Sequence, residues 1–152
     1  MKKIMTSFFT LVFLFSMQIP SLAAEDRPTI PYYGVGATVQ EVVEGEYLVK
    51  TEGAKAEEGF VYTPPEPFKE KNIKFQITLK GKGNVILKLE ETNARGQYIK
   101  EKKMDVTLTE DWATYEMTFT LESPTSQIDA FVLSKDKEPA EFSFKNIEII
   151  EE

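Results

Sequence analysis

Apolar and polar residues alternate with a period of two over several short segments of this chain. The clearest segment covers residues 106–119 (VTLTEDWATYEMTF), where Tyr115, Met117 and Phe119 share one face and polar residues occupy the other. Because side chains of a strand point alternately to the two sides of a sheet, this pattern predicts a half-buried strand. Further strand-like segments lie at residues 47–51, 60–63, 72–80, 85–89, 98–108, 127–134 and 141–150.

Turn-forming residues separate these segments at regular intervals. The turns read GKGN at residues 81–84, NARG at 93–96, ESPT at 122–125 and KDKEP at 135–139. No segment keeps apolar residues at helical spacing over a long stretch. Short strands joined by turns predict an all-β protein with an antiparallel β-sandwich or barrel, and no long helix.

The N-terminus has the composition of an export signal. Lys2 and Lys3 precede the apolar run FFTLVFLFSM at residues 8–17, and the small residues SLAA follow. The run is too short to span a bilayer comfortably, so residues 1–24 are predicted to be a cleaved signal peptide. The alternative is an uncleaved N-terminal anchor. The prediction places the protein outside the cell or at its surface, and no later segment is apolar enough to cross a membrane.

Composition narrows the classes of function. The chain has a formal charge of −7 at pH 7, which disfavours nucleic acid and anionic lipid as partners. It has no histidine and no cysteine, so Ser-His and Cys-His catalysis are excluded. Its 25 acidic residues form no recognisable catalytic motif. We therefore expect no enzyme activity and no cofactor, and an exported protein without disulfides favours a bacterial source.

The order of the strand-like segments resembles a known family. The segments that carry the resemblance run EGEYLVKT, GFVYT, FQITLKGKG, VILKLEETNARG, WATYEMTF and FSFKNIEII. Their order and spacing over residues 43–150 resemble the secreted carbohydrate-binding modules of families four and nine, which are galactose-binding-like jelly rolls. The resemblance implies a jelly-roll β-sandwich over residues 43–152. Residues 25–42 are then an N-terminal segment that packs on the sandwich, with Tyr32 and Tyr33 as its anchors. The alternative is that these paired tyrosines pack on a sugar.

The resemblance also implies a function. We expect a secreted, non-catalytic, monomeric module that recognises a poly- or oligosaccharide, such as a cell-wall or plant polysaccharide, through an aromatic-lined sheet face. The alternative is an extracellular structural or protein-interaction β-sandwich without affinity for sugar, because many jelly rolls of this type share the same motifs.

Aromatic residues on strand faces are the candidate ligand contacts. Phe60 and Tyr62 share one side of their strand, and Phe131 belongs to a strand that is apolar on both faces. We predict that these three rings line one shallow groove, with Gln76 and Lys88 as hydrogen-bonding partners of a bound sugar. The alternative is ordinary packing of these rings inside the protein.

Trp112 and a calcium site implied by the resemblance each have two alternative interpretations. Trp112, the only tryptophan, suits sugar stacking, but we predict a place in the core beside the inward-facing residues that follow it. The resemblance also implies a possible structural calcium, with Glu44, Glu46 and Asn146 as its ligands. The alternative is that the acids are simply solvated at an edge of the sheet.

Overall fold

The computed structural model describes residues 32–65 and 67–152. These residues form ten β-strands, and they contain no helix that could cross a membrane. The strands are β1 (Tyr32–Val35), β2 (Ala37–Val43), β3 (Glu46–Thr51), β4 (Gly59–Tyr62), β5 (Asn72–Gly81), β6 (Asn84–Thr92), β7 (Tyr98–Thr107), β8 (Ala113–Thr120), β9 (Gln127–Ser134) and β10 (Glu141–Glu151).

The strands form two five-stranded sheets, and every strand pairing within them is antiparallel. Sheet A has the order β1-β4-β9-β6-β7, and sheet B has the order β2-β3-β10-β5-β8. From β7 onward the chain changes sheet at every connection, as the jelly-roll arrangement requires. This confirms the predicted all-β jelly-roll sandwich.

The core lies between the sheets and follows the predicted alternation. In β8, Met117 and Phe119 are buried, while Thr118 and Thr120 on the other side of the strand are exposed. The inward faces of the central strands supply most of the remaining buried side chains, which include Ile73, Phe75, Ile77, Leu79, Val85, Leu87, Leu89, Ile128, Ala130, Val132, Phe142 and Phe144.

Residues 32–43 are part of both sheets rather than a segment that packs on them. Strand β1 pairs with β4 at the edge of sheet A, and β2 pairs with β3 at the edge of sheet B. The chain turns between the two sheets at Gly36, whose φ is 59°. A Cβ at Gly36 would lie 2.7 Å from the buried side chain of Glu58, so this turn requires glycine. Residues 1–24, the predicted signal peptide, lie outside the described residues.

The prediction that Trp112 belongs to the core is wrong. Trp112 directly precedes β8 and is half-buried on the outer side of sheet B. The reason is that successive side chains alternate between the two faces of a strand. Ala113 pairs with Leu79 on the inner face, so the neighbouring Trp112 shares the outer face with Thr114 and Glu116.

Candidate functional site

Two of the three predicted groove aromatics lie inside the protein. The Phe60 side chain is completely buried and stacks on Phe144 of the opposite sheet, with ring centroids 4.1 Å apart. Tyr62 points the same way and packs against Tyr32 at 5.7 Å between centroids. Phe131 faces the outside of sheet A. The predicted groove of Phe60, Tyr62 and Phe131 is therefore wrong, because alternation does not show which face of a strand looks inward.

The tyrosine hydroxyls of this internal cluster stay protonated at neutral pH. Burial, with the neighbouring Tyr47 and Tyr62 and the charge of Glu41, raises the pKa of Tyr32 to about 12. Burial and the charge of Glu148 also raise the pKa of Tyr62. These groups act as packing residues and not as acids or bases in this pH range.

The two predicted polar partners lie on different sheets. Gln76 is on the outer side of sheet B, between Glu116 and Glu148 of the flanking strands. Lys88 is on the outer side of sheet A, directly opposite Phe131 on the adjacent strand. Of the five predicted ligand contacts, the structure therefore brings only Lys88 and Phe131 together on an outer face of the sandwich.

Lys88 and Phe131 make a direct contact. The Lys88 ammonium lies 4.1 Å from the centroid of the Phe131 ring and 3.0 Å from a carboxylate oxygen of Glu90. Only 12% of the Lys88 side chain is exposed, so its alkyl chain lies flat along the sheet. The ammonium position is fixed by both the ring and the carboxylate.

A continuous row of side chains crosses the outer side of sheet A through this contact. The strand registers place its members opposite one another, in the order Tyr33, Val61, Phe131, Lys88 and Lys103. Tyr33 is 57% exposed at one end of the row. We call the outer side of sheet A around this row the sheet A face. Sequence reasoning missed Val61 and Lys103, and it did not join Tyr33 to Phe131, because the alignment of these residues depends on strand pairing, which the local pattern does not contain.

Polar groups flank the row on the neighbouring positions of the sheet. The Thr63 hydroxyl donates a hydrogen bond to Asp129 over 2.6 Å. Lys103 contacts Glu57 and Glu101, each at 3.3 Å, and these hydrogen bonds raise the pKa of Lys103. The face thus combines a central apolar strip with charged and hydroxyl groups whose charges are largely paired.

The residues proposed for calcium do not form a calcium site. Glu46 is paired with the ammonium of Lys145 at 3.3 Å, and Glu44 is exposed in the turn between β2 and β3. Asn146 lies at the bulge of β10 with a φ of 50°. Within residues 32–65 and 67–152, no three acidic, histidine or cysteine side chains converge on one point. Calcium needs six to eight oxygen ligands, so these residues do not fit the ion.

Three solved structures show the same fold over most of this chain. A family 11 carbohydrate-binding module from Clostridium thermocellum, in complex with a β-1,3-1,4-mixed-linked tetrasaccharide, is 16% identical with a TM-score of 0.64. The alignment covers 85% of this chain and 94% of that one. A family 4 module is 14% identical with a TM-score of 0.61, and the coverage is 80% and 95%.

The third structure is part of an enzyme. It contains the family 22 and catalytic modules of xylanase 10B from Clostridium thermocellum with xylohexaose. It is 13% identical with a TM-score of 0.63, and the alignment covers 80% of this chain and 26% of that one. At these identities, the three likenesses establish the fold alone.

Sequence comparison identifies the family. No curated protein gives a significant sequence match. The model of the carbohydrate binding domain of families four and nine matches residues 25–139, which is most of the chain, and confirms the resemblance found in the strand segments. The chain therefore belongs to the carbohydrate binding domain family.

Proposed function

We propose that this protein is a non-catalytic module that binds a poly- or oligosaccharide across the sheet A face. The observation that carries the proposal is the row formed by Tyr33, Val61 and Phe131 on three adjacent strands. With strands about 4.8 Å apart, these side chains offer an apolar strip about 10 Å wide. Such a strip suits the C–H surfaces of a pyranose, and the flanking polar groups suit its hydroxyls.

The charges on the face favour a neutral ligand. Lys88 is paired with Glu90, and Lys103 is paired with Glu57 and Glu101. No strong charge of one sign is therefore left to attract an ionised sugar. The family 11 module with a bound mixed-linked tetrasaccharide makes a neutral β-glucan the first ligand to test.

The proposal also includes secretion of the protein and a role without catalysis. The apolar run and small residues within residues 1–24 support secretion, and a cell-wall or plant polysaccharide is the proposed partner of a monomer. The chain has no histidine or cysteine to act as base or nucleophile. Several carboxylates of the sheet A face are held in ion pairs, which supports a role in binding rather than in hydrolysis.

One observation favours the alternative, a structural or protein-interaction sandwich. The Lys88 ammonium already lies over the Phe131 ring and is held there by Glu90. A sugar that stacked on that side of the ring would displace the ammonium and lose the cation–π contact, which is worth about 2 kcal/mol for a largely desolvated cation.

The deciding experiment is isothermal titration calorimetry with a mixed-linked β-1,3-1,4-glucan oligosaccharide, cellohexaose and xylohexaose. We expect at least one ligand to bind, and Tyr33→Ala and Phe131→Ala each to weaken binding by about tenfold, or 1.4 kcal/mol. Gln76→Ala on the opposite sheet is the control and should leave the affinity unchanged. Failure of all three ligands to bind the wild type, or equal losses in Phe131→Ala and Gln76→Ala, would support the alternative.

A further inference from the structure

We propose a second ligand site on the opposite side of the sandwich, which takes a sugar that carries an anionic group. Trp112, Lys80, Lys145 and Ser143 form it on the outer side of sheet B, and we call this surface the sheet B hollow. The inference rests on the proposed function in one respect, that the ligand of this protein is a sugar. The second site differs from the proposed site on the sheet A face because it lies on the other sheet and because its ligand is charged.

Two cations contact the ring of Trp112. The Lys80 ammonium lies 4.5 Å from the centroid of the Trp112 ring, and the Lys145 ammonium lies 4.3 Å from the same centroid. Both are within the distance of a cation–π interaction. Each ammonium has three N–H donors, and a contact with the ring leaves donors free for an acceptor on a ligand.

The two cations differ in their acidic partners. Lys145 contacts the carboxylate of Glu46 at 3.3 Å. In the part of the chain that the structure describes, no carboxylate lies within ion-pair distance of Lys80, although this residue is partly buried. An anionic ligand would supply the counter-charge that the Lys80 ammonium lacks.

The other acids around the hollow are already neutralised. Glu110 pairs with Lys82 at 2.8 Å, and Glu141 pairs with Lys50 at 3.0 Å. Both carboxylates line the hollow but carry their own cations. The Lys80 ammonium is therefore the uncompensated charge among the lining residues.

The shape and lining of the hollow fit a sugar ring. The cavity next to Lys80 is lined by Leu48, Lys80 and Ser143 among others, and its volume of about 280 Å³ is just below the range of about 300–1,000 Å³ of typical ligand pockets. Trp112 and Lys145 do not line this cavity, and Trp112 adjoins it through its contact with Lys80. Leu48, Ser143 and Lys80 lie opposite one another on three adjacent strands, and Trp112 follows at the end of this row. Leu48 and the indole offer apolar surface, Ser143 offers a hydroxyl, and Lys80 binds the anionic group.

Long polyanions are the wrong probe for this site. The net charge of −7 repels a polyanion at long range. At 0.15 M salt the screening length is about 8 Å, so a short ligand feels mainly the charges next to it. The anionic group is either the carboxylate of a uronic acid or a sulfate ester, and a short oligosaccharide of each kind separates the two.

The only tryptophan of the protein provides a direct readout, because the ring of Trp112 contacts the Lys80 ammonium and no tryptophan lies on the sheet A face. The experiment titrates purified protein with trigalacturonic acid and with a sulfated disaccharide and follows tryptophan emission. We expect a saturable change with at least one of them. Lys80→Gln should weaken binding by about tenfold or more, and Lys80→Arg should retain it.

The controls separate this site from the sheet A face. Lys74→Gln changes a cation on the same side of sheet B that is paired with Glu152, and it should leave the affinity unchanged. Phe131→Ala should also bind the acidic ligand normally, and neutral cellohexaose should not alter the emission. The proposal is wrong if neither acidic ligand changes the emission, or if Lys74→Gln weakens binding as much as Lys80→Gln. If the protein binds neutral glucan but neither acidic ligand, this inference alone is wrong. If it binds an acidic ligand but no neutral glucan, the proposed function is wrong.

Discussion

Phe60 of sheet A and Phe144 of sheet B stack face to face, with ring centroids 4.1 Å apart and an interplanar angle of 15°. Phe144 also stacks on Tyr47 at 4.9 Å, and Tyr32 meets it edge-on at 5.1 Å. The cluster therefore joins the two sheets through aromatic contacts near the edge strands. Phe60 contributes to the stability of the sandwich rather than to a binding surface.

We expect Phe60→Ala to lower the free energy of unfolding by about 3–5 kcal/mol, the usual cost of removing a large core aromatic. Urea denaturation followed by circular dichroism measures the change. Tyr33→Ala on the neighbouring strand removes an exposed ring and should change stability by no more than about 0.5 kcal/mol. Similar effects of the two substitutions would contradict the internal position of Phe60.

The same cluster makes stability depend on alkaline pH. The pKa of Tyr32 is raised to about 12 by burial and by its neighbours, against 10.0 for a free tyrosine. Below pH 10 the folded and unfolded chains both keep this proton, and the contribution to stability is complete. Between pH 10 and pH 12 the unfolded chain loses it first, so stability falls as pH rises.

Urea denaturation at intervals from pH 9 to pH 12 tests this dependence. Tyr32→Phe has no ionisable hydroxyl and should make the decline of stability shallower in this range. Tyr98→Phe, a change at an exposed tyrosine, serves as the control and should leave the slope unchanged. Equal slopes for wild type and Tyr32→Phe would show that the Tyr32 hydroxyl does not carry the effect.

Alternation and turn spacing were sufficient to predict the sandwich and eight of the ten strands in the described residues, but not β1 and β2. The segment at residues 72–80 corresponds to β5, and residues 127–134 coincide with β9. In β8, the parity of Tyr115, Met117 and Phe119 gave the buried face correctly. Trp112 is an even number of residues from Thr114 and Glu116, which lie on the exposed face, so the same alternation places it outside. Its position was therefore predictable from the sequence.

The candidate site was much less predictable. Alternation shows that Phe60 and Tyr62 share a side, but not that this side faces Phe144 across the core. It also cannot show that Gln76 and Lys88 belong to different sheets, because sheet membership depends on pairing between distant segments. The row that includes Tyr33 and Phe131 is created by such pairing.

A buried carboxylate near the edges of the two sheets gives a third prediction. The Glu91 side chain is fully buried, and one of its oxygens accepts a hydrogen bond from the Glu122 amide over 2.8 Å. The other oxygen has no hydrogen-bond partner among the described residues and lies 3.8 Å from the Lys100 ammonium. Lys100 also contacts the carboxylate of Glu122 at 2.7 Å.

Lys100→Met should therefore destabilise the protein by about 3 kcal/mol, the low end of the cost of leaving a buried charge without its partner. Lys82→Met is the matched control because its ion pair with Glu110 is exposed, and such pairs are worth about 0–1 kcal/mol. Both variants are compared with wild type by urea denaturation. A loss for Lys100→Met no greater than that for Lys82→Met would show that Glu91 does not depend on this cation.

The loop between β3 and β4 is organised by another buried acid, Glu58. Its two carboxylate oxygens accept hydrogen bonds from the backbone amides of Gly53, over 2.6 Å, and Lys55, over 3.0 Å. Its own amide donates to the Ser134 hydroxyl over 3.2 Å, which ties the loop to the end of β9. The side chain also fills the space left by the absent Cβ of Gly36.

Glu58→Gln keeps the size of the side chain but replaces one acceptor oxygen with an amide that can only donate. One of the two loop amides would then face another donor, so we expect a loss of about 1.5–3 kcal/mol, the range for hydrogen bonds to charged groups. Hydrogen exchange should become faster at Gly53 or Lys55. Glu57→Gln, at the adjacent and largely exposed residue, should leave exchange at both amides unchanged. Equal protection of both amides in Glu58→Gln and wild type would mean that the loop is held by its backbone contacts and not by this carboxylate.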